Sequence, residues 1–388
     1  MKIIIPASKA KSIVDFNFDL DVQIERKACK GRLPNKVSAA EKNGITLKFS
    51  DVLTNGAIHT AMKIKVQDNE DAEKARIRTL WERIEPWDPK IKTNKSSKRR
   101  LIIDKPENGE QSREISQILG ECIGITAISD LTEIEPQNWT SKYYKKGVYH
   151  DFESNSSKGK VLAEVRGRYN GNNEKLTIRK TSEKFVKLLK NKQIEKHSYN
   201  KGIGLIYNLR SDSNDDDVKF KSDVILVDPG RNVKGESEET YRSILHYYSA
   251  FFEVQNKHKV SKFLLSLADN DNPFLNKQKL PLPSFHRAGG DIWGRTTILI
   301  NNHYFIGTVW EKIPGFIFSK IFNWNQPVLF WGIPLELCSN LSTNNYRALL
   351  SMKISPWAGM KDGYYYSMNK AGLMIVIAKN IKHFLNHP

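Results

Sequence analysis

The chain has 388 residues, long enough for two or three domains, each with a core of its own. Its apolar and charged fractions, 39% and 27%, are those of a globular protein and exclude an extended disordered one. The net charge of +18 is not ordinary, and a surface so positive points to a polyanion as partner. No stretch of about eighteen consecutive apolar residues occurs, so no spanning helix is expected. The longest candidate, Ile313 to Leu337, is broken by Lys320, Asn323, Asn325, Gln326 and prolines. The isoleucines at positions 3 to 5 are too few for a secretory core, so a cytoplasmic protein with no membrane partner is expected. Cys29, Cys122 and Cys338 form no C-x-x-C pair, and the reading is reduced thiols without a metal.

Taken in order, residues 1 to 67 read as β-rich, with strands at Lys2–Ile5, Asp15–Ile24 and Ile45–Phe49 and an alternating Ala61–Val66. Asn69 to Ile84 reads as an amphipathic helix, with Asp71 and Glu73 in its first turn. A polar linker from about residue 87 to residue 111 carries Lys95, Lys98, Arg99 and Arg100. Ser112 to Cys122 reads as a short helix.

Lys158 to Lys201 is the most charged segment, with thirteen lysines or arginines against four glutamates. Lys160–Arg168 and Glu174–Lys180 both alternate around a Tyr-Asn-Gly-Asn-Asn turn, which predicts a β-hairpin. With a period of two, Val161, Ala163 and Val165 would face Leu176 and Ile178 inward, while Arg166, Arg168, Lys175 and Arg179 would share the outer face. Thr181 would then cap a helix presenting Lys184, Lys187 and Lys190. These cations, with Lys98, Arg99 and Arg100, are the predicted phosphate ligands, and Tyr169 and Tyr199 are candidates to stack on bases.

Gly202–Leu209 reads as a strand and Asp212–Asp217 as an acidic loop, which lacks the glycine and terminal glutamate of a calcium loop. Ser222–Val227 is the clearest buried strand of the sequence, an apolar, β-branched run bounded by charge. It ends at Asp228-Pro229-Gly230-Arg231-Asn232, which resembles the turn after the first strand of RNase H-like nucleases, particularly Holliday-junction resolvases. That resemblance is confined to this stretch; it implies that Asp228 binds catalytic magnesium. The residues themselves favour a plain reverse turn, since Pro-Gly is the type II pairing and Asp suits the position before it. Glu236–Lys259 reads as one acid-started amphipathic helix. Arg295–Trp310 is a hairpin through Asn301-Asn302, and Tyr364–Ala378 suggests another.

Asp151 with Glu164-Val165-Arg166 loosely fits a D…E-x-K nuclease pattern, in which two carboxylates hold a metal and a cation stands near the attacking water. Arg166 stands where that pattern has lysine, and an arginine cannot shed its proton. The expectation is therefore an ion pair between Glu164 and a basic residue across the hairpin. His286-Arg287 beside Gly289-Gly290-Asp291 reads as a surface turn. No P-loop, G-x-G-x-x-G or H-E-x-x-H occurs, so neither nucleotide hydrolysis nor zinc chemistry is indicated. The aromatic C-terminal third carries Trp293, Trp310, Trp324, Trp331 and Trp357, with Phe316, Phe318 and Phe322, as core and as a candidate partner surface.

The sequence thus predicts a mixed α+β protein of two or three domains, with β-hairpins and a few amphipathic helices. Its segments are 1–100, 101–235 and 236–388. The expected function is nucleic-acid binding through backbone phosphates, as a non-catalytic subunit of a larger nucleoprotein complex of defence, transposition or guide-RNA type, with no cofactor. One alternative is a divalent-metal nuclease using Asp228, Glu253 and Asp291 with Mg²⁺. Another is an assembly protein that binds an acidic protein partner.

Overall fold

The computed structural model describes residues 2–4, 19–27, 35–64, 90–93, 99–103, 109–141, 151–156, 159–169, 174–190, 201–211, 224–227, 237–255, 257–270, 296–310, 328–361 and 363–379. The fold is mixed α+β, as the sequence predicts. The chain divides into two compact units, Asn17–Ser243 and Met1–Phe16 with Ile244–Pro388. The strand Ile24–Arg26 of the segment 1–100 pairs with the strand Val224–Val227 of the segment 101–235.

In the unit Asn17–Ser243 the elements run β2 (Leu20–Val22), β3 (Ile24–Arg26), α1 (Asn35–Asn43), β4 (Ile45–Leu47), α2 (Phe49–Ile64), β5 (Lys90–Thr93), β6 (Arg99–Ile103) and α3 (Gly109–Thr132). They continue with β7 (Trp139–Ser141), β8 (Phe152–Ser156), β9 (Gly159–Tyr169), α4 (Glu174–Lys190), β10 (Lys201–Ser211) and β11 (Val224–Val227). The main sheet has the order β3-β11-β10-β9-β8-β7, and β6, itself paired with β5, joins the far end of β10. β8 and β9 are an antiparallel hairpin, whereas β9 and β10 run parallel and α4 makes the crossover between them. β11 is buried at every position, as its apolar, β-branched sequence requires of a strand covered on both faces.

Three local readings are corrected. Ala61 to Ile64, the described part of the alternating Ala61–Val66, is the last turn of α2, not a strand: so short an alternation cannot by itself separate strand from helix, and here it follows the buried run Val52–His59. The helix expected at Ser112–Cys122 runs on to Thr132, because the apolar stretch that follows is buried along its length. Glu174–Lys180 is not the second arm of a hairpin but the start of α4. Thr177, Ile178, Thr181 and Lys184 turn away from solvent at helical spacing while Lys175, Arg179, Lys180 and Glu183 are exposed, and Ile178 packs on Ile206, Ile225 and Val227. Thr181 therefore lies inside a helix rather than at its cap.

α3 fixes which face of β9 is free for chemistry. A Cβ added at Gly167 would lie 1.6 Å from the carbonyl oxygen of Ser116, and one at Gly124 would lie 2.1 Å from Val165 Cγ1. Helix and strand thus approach to backbone distance through Val165 and Gly167. By the two-residue period of a strand, Glu164, Arg166 and Arg168 belong to the opposite face.

The second unit is built on one seven-stranded sheet of order β1-β12-β13-β14-β17-β16-β15, with β1 (Lys2–Ile4), β12 (Thr296–Ile300), β13 (His303–Trp310), β14 (Val328–Pro334), β15 (Trp357–Lys361), β16 (Tyr364–Met368) and β17 (Met374–Ala378). The hairpin β12–β13 turns through Asn301 and Asn302 with φ of 49° and 64°, the left-handed pair the sequence predicts there. The helix expected at Glu236–Lys259 is two: α5 (Ser237–Val254), which begins in the other unit, and α6 (His258–Ala268), parted at Gln255. α7 (Leu335–Ser342) and α8 (Tyr346–Ser351) follow β14. One face of the sheet buries Ile298, Phe305, Val328, Phe330, Tyr366 and Val376. On β14 the alternate position Trp331 meets the ring edge of Phe251, and the Gln255 side chain donates to the Trp331 carbonyl at 3.2 Å.

Candidate active site

Carboxylates and cations meet inside a core in the middle of β9. Glu164 is 1% exposed. Arg166, two residues on along the same strand face, places Nη2 2.8 Å from Glu164 Oε1. Lys184 of α4 places Nζ 2.5 Å from Glu164 Oε2. The lysine reaches it because α4 lies close on β10. Gly204 is the register partner of Glu164, and a Cβ there would lie 2.6 Å from Thr181 Cγ2, one helical turn before Lys184.

Asp151, the residue just before the neighbouring strand β8, completes the group. Its backbone N–H donates to the Ala163 carbonyl at 3.0 Å, and its Oδ2 accepts from the Val165 N–H at 2.8 Å. These two bonds straddle Glu164 and fix Asp151 beside it. Burial, and then the negative charge of Asp151, push Glu164 up to about 8, against the pull of Lys184 and Arg166. The carboxyl is therefore poised close to neutral pH, and a further cation would draw it to its charged form.

Glu164 is ion-paired, but with Arg166 of its own strand and Lys184 of α4 rather than with a residue across a hairpin, and the D…E-x-K residues are also together: Asp151, Glu164 and Arg166 share one spot. Read along the sequence, Lys184 is only surface charge on a helix. Its link to Glu164 spans twenty residues and depends on the crossover, which no local spacing announces.

The other predicted cations do not form one surface. With Glu174–Lys180 helical, Arg166 and Arg168 face no hairpin partner in Lys175 and Arg179; their neighbours across the sheet are Ile206 and Asn208. Arg168 is 7% exposed and its Nε donates to Asn208 Oδ1, so it is a packed side chain and not a solvated phosphate ligand. Lys175 and Arg179 are exposed, with Arg179 3.5 Å from Glu183. Arg99 clamps Asp21 with its Nε and Nη2, each at 3.1 Å, and with its backbone N–H at 2.8 Å, tying β6 to β2. Burial raises Asp21, but the hydrogen bonds and charge of Arg99 overcome this and hold it below its usual range. Arg100, next to it, is half-buried. Lys98, Asp228, Asp291, Trp293 and Trp324 lie outside the described residues, as do Asn69–Ile84, Asp212–Asp217, the His286–Asp291 turn and the side chains of Lys187, Lys190 and Trp310.

Glu253 is buried, with His258 Nδ1 3.1 Å away across the break between α5 and α6. Of the C-terminal aromatics, Trp331 is core and Trp357 stacks edgewise on Phe305 and Tyr366. Among the described residues no three His, Cys, Asp or Glu side chains converge as a ready-made metal cage, and no helix is long and apolar enough to cross a membrane. Comparison with protein-family models, with curated proteins and with solved structures gives no match.

Proposed function

We propose that the protein binds nucleic acid and hydrolyses its phosphodiester backbone with a divalent cation held between Asp151 and Glu164. The observation that carries this reading is the meeting of two carboxylates, Glu164 of β9 and Asp151 just before β8, with Lys184 and Arg166, in a chain of net charge +18. Magnesium is commonly held by one or two carboxylates, with waters and substrate phosphates completing its shell, so a two-carboxylate site suits it and a full protein cage is not needed. Such an ion lowers the cost of forming hydroxide from water and polarises the phosphoryl group. Asp151 and Glu164 would supply the oxygen ligands, with the Val165 N–H fixing the orientation of Asp151. Lys184 and Arg166 add positive charge toward the phosphate. The exposed cations Lys175, Arg179 and Lys180 hold the backbone at longer range.

A second reading keeps nucleic-acid binding without cleavage, as a subunit of a nucleoprotein complex. It is favoured by the engagement of both Glu164 oxygens by cations, as in a purely structural buried ion pair.

The test is incubation of the purified protein with labelled DNA and RNA in Mg²⁺ and in Mn²⁺. Wild type is expected to cleave, and Asp151→Asn and Glu164→Gln are expected not to, while Asp228→Ala retains activity. Salt-sensitive binding without cleavage would return the second reading. Cleavage lost only in Asp228→Ala would move the site to the turn after β11.

A further inference from the structure

We infer that Lys184, reaching in from α4, is the residue that places positive charge on the scissile phosphate, and that Arg166 serves to hold Glu164. The inference rests on the Asp151–Glu164 reading above. In the D…E-x-K pattern the cation stands two residues after the glutamate, and that position here is Arg166. The geometry divides the two cations differently. Each takes its own oxygen of Glu164, Arg166 at Oε1 and Lys184 at Oε2. The Arg166 side chain is 45% exposed, whereas that of Lys184 is 19% exposed.

This difference decides what happens when a divalent cation takes the glutamate. Both side chains then lose their anion and face a like charge instead. Arg166 has water to turn to. Lys184, deeper and on a different element, has little, and its ammonium needs another anion within reach of its flexible four-carbon stem. A phosphate lying against the metal offers oxygens at that place. Charge acting from a site shielded from water is also worth more to a transition state than charge acting through solvent. Thr181 against Gly204 fixes the height of the helix over the strand, so the lysine is aimed before substrate arrives.

In the step itself the oxygen of the attacking water bonds to phosphorus, and the bond from phosphorus to the leaving sugar oxygen breaks. The leaving oxygen keeps the electron pair and takes a proton from solvent, as the attacking water gives one up to solvent. Lys184 keeps its protons throughout and neutralises the charge that gathers on the non-bridging oxygens.

The experiment compares Lys184→Ala, Lys184→Arg and Arg166→Ala with wild type. It measures kcat and KM on a defined DNA or RNA substrate, Ca²⁺ binding by calorimetry, and melting. A charge that acts only in the transition state lowers kcat and leaves KM in place. Lys184→Ala is expected to lose about 10²- to 10³-fold in kcat, with KM within about threefold. Its Ca²⁺ affinity is not weakened, since no metal ligand is removed. Lys184→Arg regains at least about tenfold because the charge is restored. Arg166→Ala loses less than about tenfold in kcat. Full kcat in Lys184→Ala, or a larger loss in Arg166→Ala, would overturn the inference. So would a Lys184→Ala variant that loses Ca²⁺ binding and cooperative melting along with kcat, which would make the lysine structural. A wild type that cleaves under no metal removes the nuclease reading and the role of Lys184 with it. An active wild type with an unaffected Lys184→Ala removes only the inference.

Discussion

β9 and β14 are both interior strands of their sheets, yet they are filled in opposite ways. In β14 the buried run is Val328, Leu329, Phe330, Trp331, Gly332 and Ile333, apolar apart from one glycine that lets a neighbouring strand approach. In β9 one face is as apolar as that, with Ala163, Val165 and Gly167 against α3 and its hairpin partner. The other face buries Glu164 and Arg168 in the middle of the sheet. Burying charge costs several kilocalories per ion unless it is paired, and even a well-paired ion rarely outperforms a hydrophobic residue of the same volume. β14 shows that this sequence has the means to build an all-apolar central strand. A charged face in β9 is what the proposed site would need, and the comparison gives a way to separate packing that serves stability from packing that serves a site.

The sharpest way to break the comparison is to make one change in each strand. Glu164→Gln, nearly isosteric, is expected to lower cleavage by more than about 10³-fold, as loss of a group acting in the reaction does. Phe330→Leu in β14 should leave the cleavage rate unchanged. If the two behave alike in a cleavage assay, β9 is not special.

The reverse experiment tests stability. Trp331→Ala removes a buried indole and its edge packing on Phe251, and should cost about 3–5 kcal/mol in urea unfolding of the unit that contains it.

A smaller effect is the pH dependence of stability. Glu164 holds its proton to about 8 in the folded protein, well above the ordinary carboxylate range of the unfolded chain. The folded state thus binds more protons in between, so this contribution is fully present below that range and is lost as pH rises through about 8. The urea midpoint should fall as the buffer is taken from about pH 6 to about pH 9, and Glu164→Gln should flatten the curve. An unchanged slope in the variant would deny that Glu164 is the titrating group. β14, with no ionisable side chain in its buried run, contributes no such slope.

The smallest expected effect is on the exposed charges of α4. Lys175→Ala with Arg179→Ala should reduce the salt slope of nucleic-acid binding by about 0.7 to 0.9 for each phosphate that is no longer neutralised. Stability should stay within about 0.5 kcal/mol, because neither side chain is packed. An unaltered slope would make these residues plain solvated surface. Arg168 does not belong in that experiment, since removing a buried guanidinium bonded to Asn208 perturbs the fold as well as the charge.

What the sequence determined by itself was the set of features that are local or statistical. The mixed α+β class, the buried β11, the Asn301–Asn302 hairpin and the acid-started helix after residue 236 all follow from short-range rules. Each depends on a turn conformation or a run of apolar side chains that needs no distant partner. The pairing of Asp151 with Glu164-x-Arg166 is also visible as a pattern, but not its worth.

Tertiary structure decided the rest. Glu174–Lys180 alternates like a strand yet is helical, because the crossover from β9 to the parallel β10 needs a helix and Ile178 finds its apolar partners on β10 and β11. The same crossover sets Lys184 on Glu164 and takes Lys175 and Arg179 away from Arg166 and Arg168. No property of residue 184 read along the chain distinguishes it from Lys180, which is exposed. Only the close approach of α4 at Gly204 puts one ammonium beside a buried carboxylate and leaves the other in water. Burial is a property of the fold, and it turns an ordinary glutamate into one poised near neutral pH.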